Sequence, residues 1–274
     1  MSILVFPDQH SNPSLETFSL RRTDDPQSDL RLSVRNLHPI HKGRSSVYRA
    51  TLEGDVEPQE VACKVVYGKR SIAKLHNEVE IYQHLHDLQG GVIPYCLGLF
   101  QGEMEDGQAG CLITKYCGKP VDVELAFMNW TFKMETIKAL SAIHAKGVKH
   151  NDFSERNILV GKDRRPIIID FDCAQKEECK VTDDVHFHTE EPLPEVFGCQ
   201  ELFSAAKLAD AWTPRVIPFL RGYSPVKYAE SVETLMSAAP DVVPRDVARF
   251  HAEYAMERYK KALSKREACE PYEL

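Results

Sequence analysis

The stretch KHNDFSERNILV, residues Lys149–Val160, places His150, Asp152 and Asn157 at fixed intervals directly before an apolar run. A second run, RPIIIDFD at residues 165–172, follows after a short polar segment and contains Asp170. Two short apolar runs separated by turn-forming residues predict a β-hairpin. Such a hairpin would return the chain to its starting point and bring Asp170 beside Asn157.

These side chains have the chemistry of a metal site. Carboxylate and amide oxygens are the ligands that Mg²⁺ prefers, together with water and substrate phosphates. We therefore expect Asn157 and Asp170 to share a magnesium ion. Asp152 lies in the middle of the loop, where it is free to orient an attacking hydroxyl and to accept its proton.

The chain before this loop predicts a small antiparallel sheet and one helix. Strand-like runs cover residues 30–34, 46–52, 60–66 and 110–116, and helical spacing covers residues 73–88 before a glycine pair. In VACKVV, alternation places Ala62 and Lys64 on one face of the strand. A small side chain beside a lysine suits a flat base with its phosphates ahead of it.

The remaining elements are predicted to be mostly helical. Helical spacing covers residues 131–147 and ends at a glycine, and it recurs at residues 199–211 and 248–266. Pro214 and Pro218 would interrupt any helix that followed the second of these segments.

At these residues the chain resembles the protein-kinase-like superfamily. His150, Asp152 and Asn157 match the H-x-D-x-x-x-x-N pattern of that family, and Asp170 with Phe171 matches the start of its D-F-G metal loop. The resemblance implies a bilobal α+β fold, with a small antiparallel β-sheet and one helix in the N-lobe and a mainly α-helical C-lobe.

The resemblance also assigns roles and two cofactors, ATP and Mg²⁺. It implies that Asp152 is the catalytic base, that Lys64 binds phosphate, and that Asn157 and Asp170 hold the metal. Glu78 would pair with Lys64, with Glu80 as a less well-placed rival. The implied nucleotide-binding residues are Gly43, Val47, Ala62, Lys64, Glu78, Thr114 and Tyr116.

The resemblance predicts three segments along the chain. Residues 1–30 are rich in Ser, Pro, Asp and Gln and are expected to form a polar extension. Residues 31–117 would form the N-lobe. Residues 118–274 would form the C-lobe, in which the resemblance weakens after about residue 175.

Three departures from the family pattern leave the activity open. Gly43 is the single glycine where the family has a glycine-rich loop, Ser154 replaces a lysine, and Asp172 replaces a glycine. The expected activity is transfer of the γ-phosphate of ATP to a hydroxyl of a protein or a small molecule, because the loop is also similar to that of choline and aminoglycoside kinases. The alternative is a pseudokinase that binds nucleotide or acts as a scaffold without phosphoryl transfer.

Composition argues against other classes of protein. The chain has 34 Lys and Arg against 41 Asp and Glu, a net charge of −7, so it has no general attraction to nucleic acid. It contains no apolar run of membrane-spanning length. Its eight cysteines include no C-x-x-C pair, which argues against a zinc or redox motif. We therefore expect a soluble cytoplasmic protein with free thiols.

Overall fold

The dominant element of the computed structural model is a closed barrel of seven strands in the order β1-β2-β6-β7-β5-β4-β3. The structure describes residues 2–7 and 17–267, with side chains as far as residue 264. The barrel strands are β1 (Ile3–Pro7), β2 (Thr17–Arg22), β3 (Arg31–Lys42), β4 (Ser46–Gly54), β5 (Gln59–Tyr67), β6 (Cys96–Met104) and β7 (Gly107–Lys115).

The first two strands close the barrel. Strand β1 pairs antiparallel with β2 and parallel with β3, while β2 pairs antiparallel with β6. Without them, β3 and β6 would each present an unpaired edge. Leu4, Phe6 and Leu20 point into the barrel and are fully buried, so apolar burial as well as hydrogen bonding holds these strands in place.

Helix α1 (Lys69–His84) packs on the outside of the barrel. Its buried side chains include Leu75 and Val79 at helical spacing. A Cβ atom added at Gly110 of β7 would lie 3.2 Å from the Leu75 side chain, so the glycine lets the helix approach the sheet closely.

The predicted hairpin is present. Strand β10 (Ile158–Val160) pairs antiparallel with β11 (Pro166–Ile168), and β8 (Lys119–Pro120) pairs with the other edge of β10. Two flanking strands, β9 (Val148–Lys149) and β12 (Gln175–Lys176), also pair antiparallel. Helix α2 (Trp130–Ala145) precedes β9 and corresponds to the helix expected at residues 131–147.

The chain divides into two compact units. The described parts of residues 1–122 and 138–179 form the first, and those of residues 123–137 and 180–274 form the second. The second unit contains α3 (Pro194–Phe197), α4 (Gln200–Leu208), β13 (Val216–Phe219), β14 (Gly222–Pro225), α5 (Val232–Ser237) and α6 (Arg245–Glu267). Its core brings Ile217 of β13 against Leu235 of α5 and Met256 of α6.

The expectation of a bilobal protein-kinase-like fold is wrong. The described residues form a closed, mixed barrel rather than a small antiparallel sheet, and strands β8 to β14 follow residue 117 where a mainly helical lobe was expected. Of the helices in the described residues, only α1, α2, α4 and α6 have seven or more residues. The family resemblance therefore does not extend to the fold.

The physical reason lies in what carried the resemblance. A short set of polar residues on a hairpin specifies a local site, and such sites occur on unrelated folds. The architecture is decided instead by β1 and β2, which come from the segment that we expected to be a polar extension. Residues 8–16 of that segment lie outside the described part of the chain.

Two general expectations can be compared with the fold. Across the residues that the structure describes, no helix combines the length and the apolar character needed to span a membrane. The seven cysteines in the same residues are all free thiols, and Cys269 lies outside them.

Candidate functional site

A pocket of about 340 Å³ lies in the first unit and contains most of the residues selected from the sequence. Six predicted nucleotide-site residues line it: Val47, Ala62, Lys64, Glu78, Thr114 and Tyr116. The predicted metal ligands Asn157 and Asp170 line it as well. Gly43 lies in the turn between β3 and β4 and is not among the described residues that line the pocket, although Ile40, His41 and Ser45 near that turn are.

Lys64 connects the barrel to both neighbouring elements. Its Nζ atom lies 2.8 Å from Oε2 of Glu78 on α1 and 2.5 Å from Oδ1 of Asp170 after β11. Burial disfavours the charged ammonium, but the two carboxylates outweigh burial and raise the pKa of Lys64 above its usual value. Lys64 therefore carries a positive charge inside a largely enclosed site.

Glu78 is the carboxylate that holds this lysine in place. Its side chain is 3% exposed, whereas Glu80 is exposed, so the two candidates on α1 are clearly separated. Burial raises the pKa of Glu78, and the charge of Lys64 opposes that shift. Because both side chains are largely buried, the carboxylate and the ammonium depend on each other.

Asp170 adopts an unusual backbone conformation. Its φ of 70° and ψ of 67° place it in the left-handed region, which a residue other than glycine adopts only at a cost in energy. The next residue, Phe171, is fully buried, and its ring lies 5.3 Å from that of Tyr82 and 5.0 Å from that of His150. This aromatic packing fixes the position of the Asp170 carboxylate.

His150 holds the loop that contains Asp152 in place. It is fully buried, its Nδ1 accepts a hydrogen bond from the backbone N–H of Asp152, and its Nε2 lies 2.9 Å from the carbonyl oxygen of Ile169. A carbonyl can only accept, so Nε2 carries the proton and the ring is the neutral tautomer. His150 thus joins the Asp152 loop to the segment that ends at Asp170, through packing and hydrogen bonds.

Asn157 and Asp152 are also bonded to each other. Nδ2 of Asn157 donates to the backbone oxygen of Asp152 at 2.8 Å and to its Oδ2 at 3.2 Å. Oδ1 of Asp152 accepts a hydrogen bond of 2.6 Å from Nη2 of Arg156. The backbone N–H of Ile169 donates to the Asn157 carbonyl at 3.0 Å, which sets Asn157 next to Asp170.

Sequence reasoning missed a second ion pair at this site. Lys74 Nζ on α1 lies 3.0 Å from Oδ2 of Asp172. Burial would raise the pKa of Asp172, but hydrogen bonds with Cys173 and Lys74 outweigh it and lower that pKa. No spacing signal could have found a pair separated by 98 residues.

The apolar part of the pocket was also only partly foreseen. Leu112 lines the pocket together with Thr114, two positions later on β7, while Leu159 and Ile169 line it from the hairpin. Alternation along β7 could have identified Leu112 once Thr114 was chosen. The hairpin residues could not be selected in this way, because both faces of β10 and β11 are apolar.

Comparison of the chain with protein-family models gives no match, and a search of curated proteins finds no match either.

Proposed function

We propose that this protein is an ATP- and Mg²⁺-dependent phosphotransferase that moves the γ-phosphate of ATP to a hydroxyl of a protein or small-molecule acceptor. The observation that carries the proposal is the position of Lys64, whose ammonium is held by Glu78 and Asp170 at the wall of a pocket. A cation fixed in this way, with an adjacent carboxylate and amide, suits the phosphates of a nucleotide and their counter-ion.

The size and lining of the pocket support a nucleotide as the ligand. Its volume is within the usual range for small-molecule sites, which are mostly apolar with a few polar groups. Val47, Ala62, Leu112 and Leu159 supply apolar surface for a flat base. Lys64 lies on the same strand face as Ala62, so a base packed against Ala62 would direct its phosphates towards Lys64.

The donor set also fits a magnesium ion. Asn157 uses its Nδ2 atom for Asp152, which leaves Oδ1 as the side-chain acceptor, and the Asp170 side chain is 35% exposed and can be reached from the pocket. One amide and one carboxylate oxygen with substrate phosphates are a normal magnesium environment. When bound, Mg²⁺ would supply neutralisation of phosphate charge.

Asp152 is the proposed general base. It sits on the loop next to Asn157, and Asn157 and His150 fix its carboxylate and backbone. A carboxylate in this position can orient an acceptor hydroxyl and take its proton as the new bond to phosphorus forms.

The proposal extends to partners and location. The negative net charge argues against nucleic acid as the acceptor. ATP and Mg²⁺ are intracellular, so the proposed activity belongs in the cytoplasm.

A thermal melt with and without millimolar Mg-ATP tests the proposal. A ligand that binds only the folded state stabilises it by about 2.7 kcal/mol at a hundredfold excess over its Kd. Asp170→Asn should keep a response to ATP but lose the part that depends on Mg²⁺, because the amide lacks the charge that a hard cation requires. If Mg-ATP does not change the melting temperature of the parent protein, the pocket is not a nucleotide site.

A nucleotide-binding module without phosphoryl transfer is the second candidate. The observation that favours it is that both carboxylate oxygens of Asp152 are engaged, one by Arg156 and one by Asn157. Asp152→Asn separates the candidates, because the phosphotransferase should keep the Mg-ATP melt shift and lose turnover by about a hundredfold or more. If the parent transfers phosphate to no acceptor and its slow ATP hydrolysis equals that of Asp152→Asn, the module is the better description.

A further inference from the structure

Arg156 is a cation of the pocket that the proposed reaction does not yet use. It lines the pocket together with Lys64, Asn157 and Asp170, and its side chain is 70% exposed. Its Nη2 atom donates a hydrogen bond to Oδ1 of Asp152, four residues earlier in the loop.

The Arg156–Asp152 pair is easily exchanged for another partner. Ion pairs between exposed side chains contribute little to stability, because water screens the charges and ordering long side chains costs entropy. A guanidinium binds a phosphate group through two parallel hydrogen bonds, which is stronger than its single contact with Asp152.

The charge balance of the site favours such an exchange. Lys64 already compensates Glu78 and Asp170, so its charge is shared before any nucleotide enters. Each additional phosphate group brings more negative charge towards these carboxylates. A second cation at the pocket wall is therefore most valuable for the nucleotide with the most phosphates.

We propose that Arg156 binds the terminal phosphate of a nucleoside triphosphate and leaves Asp152 when it does so. This inference rests on the proposed function. It gives the site a means to distinguish triphosphate from diphosphate, and it frees one oxygen of Asp152 for the acceptor hydroxyl only when a transferable phosphate is present.

The test compares the Kd values of ATP and ADP, both with Mg²⁺, by calorimetry on the full chain. Arg156→Gln should weaken ATP binding by at least about tenfold, the loss expected for a charge-assisted hydrogen bond, and should leave ADP binding within about twofold. Arg156→Lys should recover part of the loss. Lys162→Gln is the matched control, because it removes the same charge from an exposed turn beside the loop and should change neither Kd.

The loss of Arg156 could also act indirectly, by exposing the charge of Asp152 to the nucleotide. Repeating the comparison in Asp152→Asn protein excludes this effect. In Asp152→Asn protein, Arg156→Gln should still reduce the preference for ATP over ADP by at least the same factor, because Arg156 no longer has to leave a carboxylate to bind the phosphate. An unchanged preference in either background would overturn the role of Arg156. A parent protein that binds neither ATP nor ADP would instead refute the proposed function.

Discussion

The ion pair between Lys64 and Glu78 can be tested by removing the charge of Lys64 while Glu78 stays in place. Lys64→Met keeps the length of the side chain but removes its charge, and Glu78 is left 3% exposed without a cation. Removing one partner of a buried ion pair usually costs about 3–5 kcal/mol of folding free energy. We expect a loss of that size at pH 7.

The pH dependence of this loss has a definite sign. In the variant, burial without Lys64 raises the pKa of Glu78 in the folded state further above that of the unfolded chain, which is about 4.3. When the pKa of a group is higher in the folded state than in the unfolded state, the group costs no stability below its unfolded pKa. Stability is lost as the pH rises above that unfolded value. The deficit of Lys64→Met should therefore be small near pH 4 and grow towards pH 7.

Urea unfolding at several pH values measures this deficit, and Lys64→Met/Glu78→Gln is the control. The neutral amide has no charge to bury, so the double variant should regain much of the stability at pH 7 and show a flatter pH profile. If the deficit of Lys64→Met relative to the parent is as large at pH 4 as at pH 7, or if Glu78→Gln does not relieve it, Lys64 and Glu78 do not form a buried ion pair.

Three other variants test the fold and the loop by urea or thermal unfolding. Phe6→Ala should cost about 3–5 kcal/mol, since this fully buried ring belongs to the barrel core, and a loss below about 1 kcal/mol would contradict closure by β1. Gly118→Ala places a Cβ atom 2.0 Å from a backbone oxygen, whereas Gly107 also has a positive φ but open space around an added Cβ atom. Gly118→Ala should therefore cost at least about 2 kcal/mol more than Gly107→Ala. Asp172→Asn should lower stability at pH 7, and the deficit should shrink as the pH falls below the ordinary Asp pKa of about 3.9, because the lowered pKa of Asp172 gives stability that is lost as the pH falls through it. A deficit that does not change with pH would argue against the contact with Lys74.

Sequence reasoning anticipated which of the selected residues lie close together better than it anticipated the fold. The hairpin that joins Asn157 to Asp170 follows from two apolar runs and a turn, and the lysine face of β5 follows from alternation, since both signals are local. The Lys64–Glu78 contact was expected from the resemblance alone, and the structure contains it. Arg156 was overlooked although it lies between two selected residues, because its importance depends on which way a flexible side chain points.

The barrel could not be read from the sequence for a different reason. Strand β1 has only five residues and lies in a segment dominated by polar and turn-forming residues, so its composition suggested an extension. Strand β3, which pairs with β1, and strand β6, which pairs with β2, had no sequence feature that showed they needed a further strand, because an edge strand and a central strand have similar patterns. Closure is a property of long-range pairing, which local propensity does not encode.

The way in which β2 meets β6 also determines when the barrel can form during synthesis. Thr23 and Leu99, which are joined across this seam by hydrogen bonds, are 76 residues apart in the chain. At about 5–20 residues per second, a ribosome needs roughly 4–15 s to make the intervening chain. During that time the outer edge of β2 has no partner from its own barrel, and its backbone groups are open to other strands. The nascent chain therefore passes through a period in which β2 is exposed to aggregation, and this period ends only when β6 emerges.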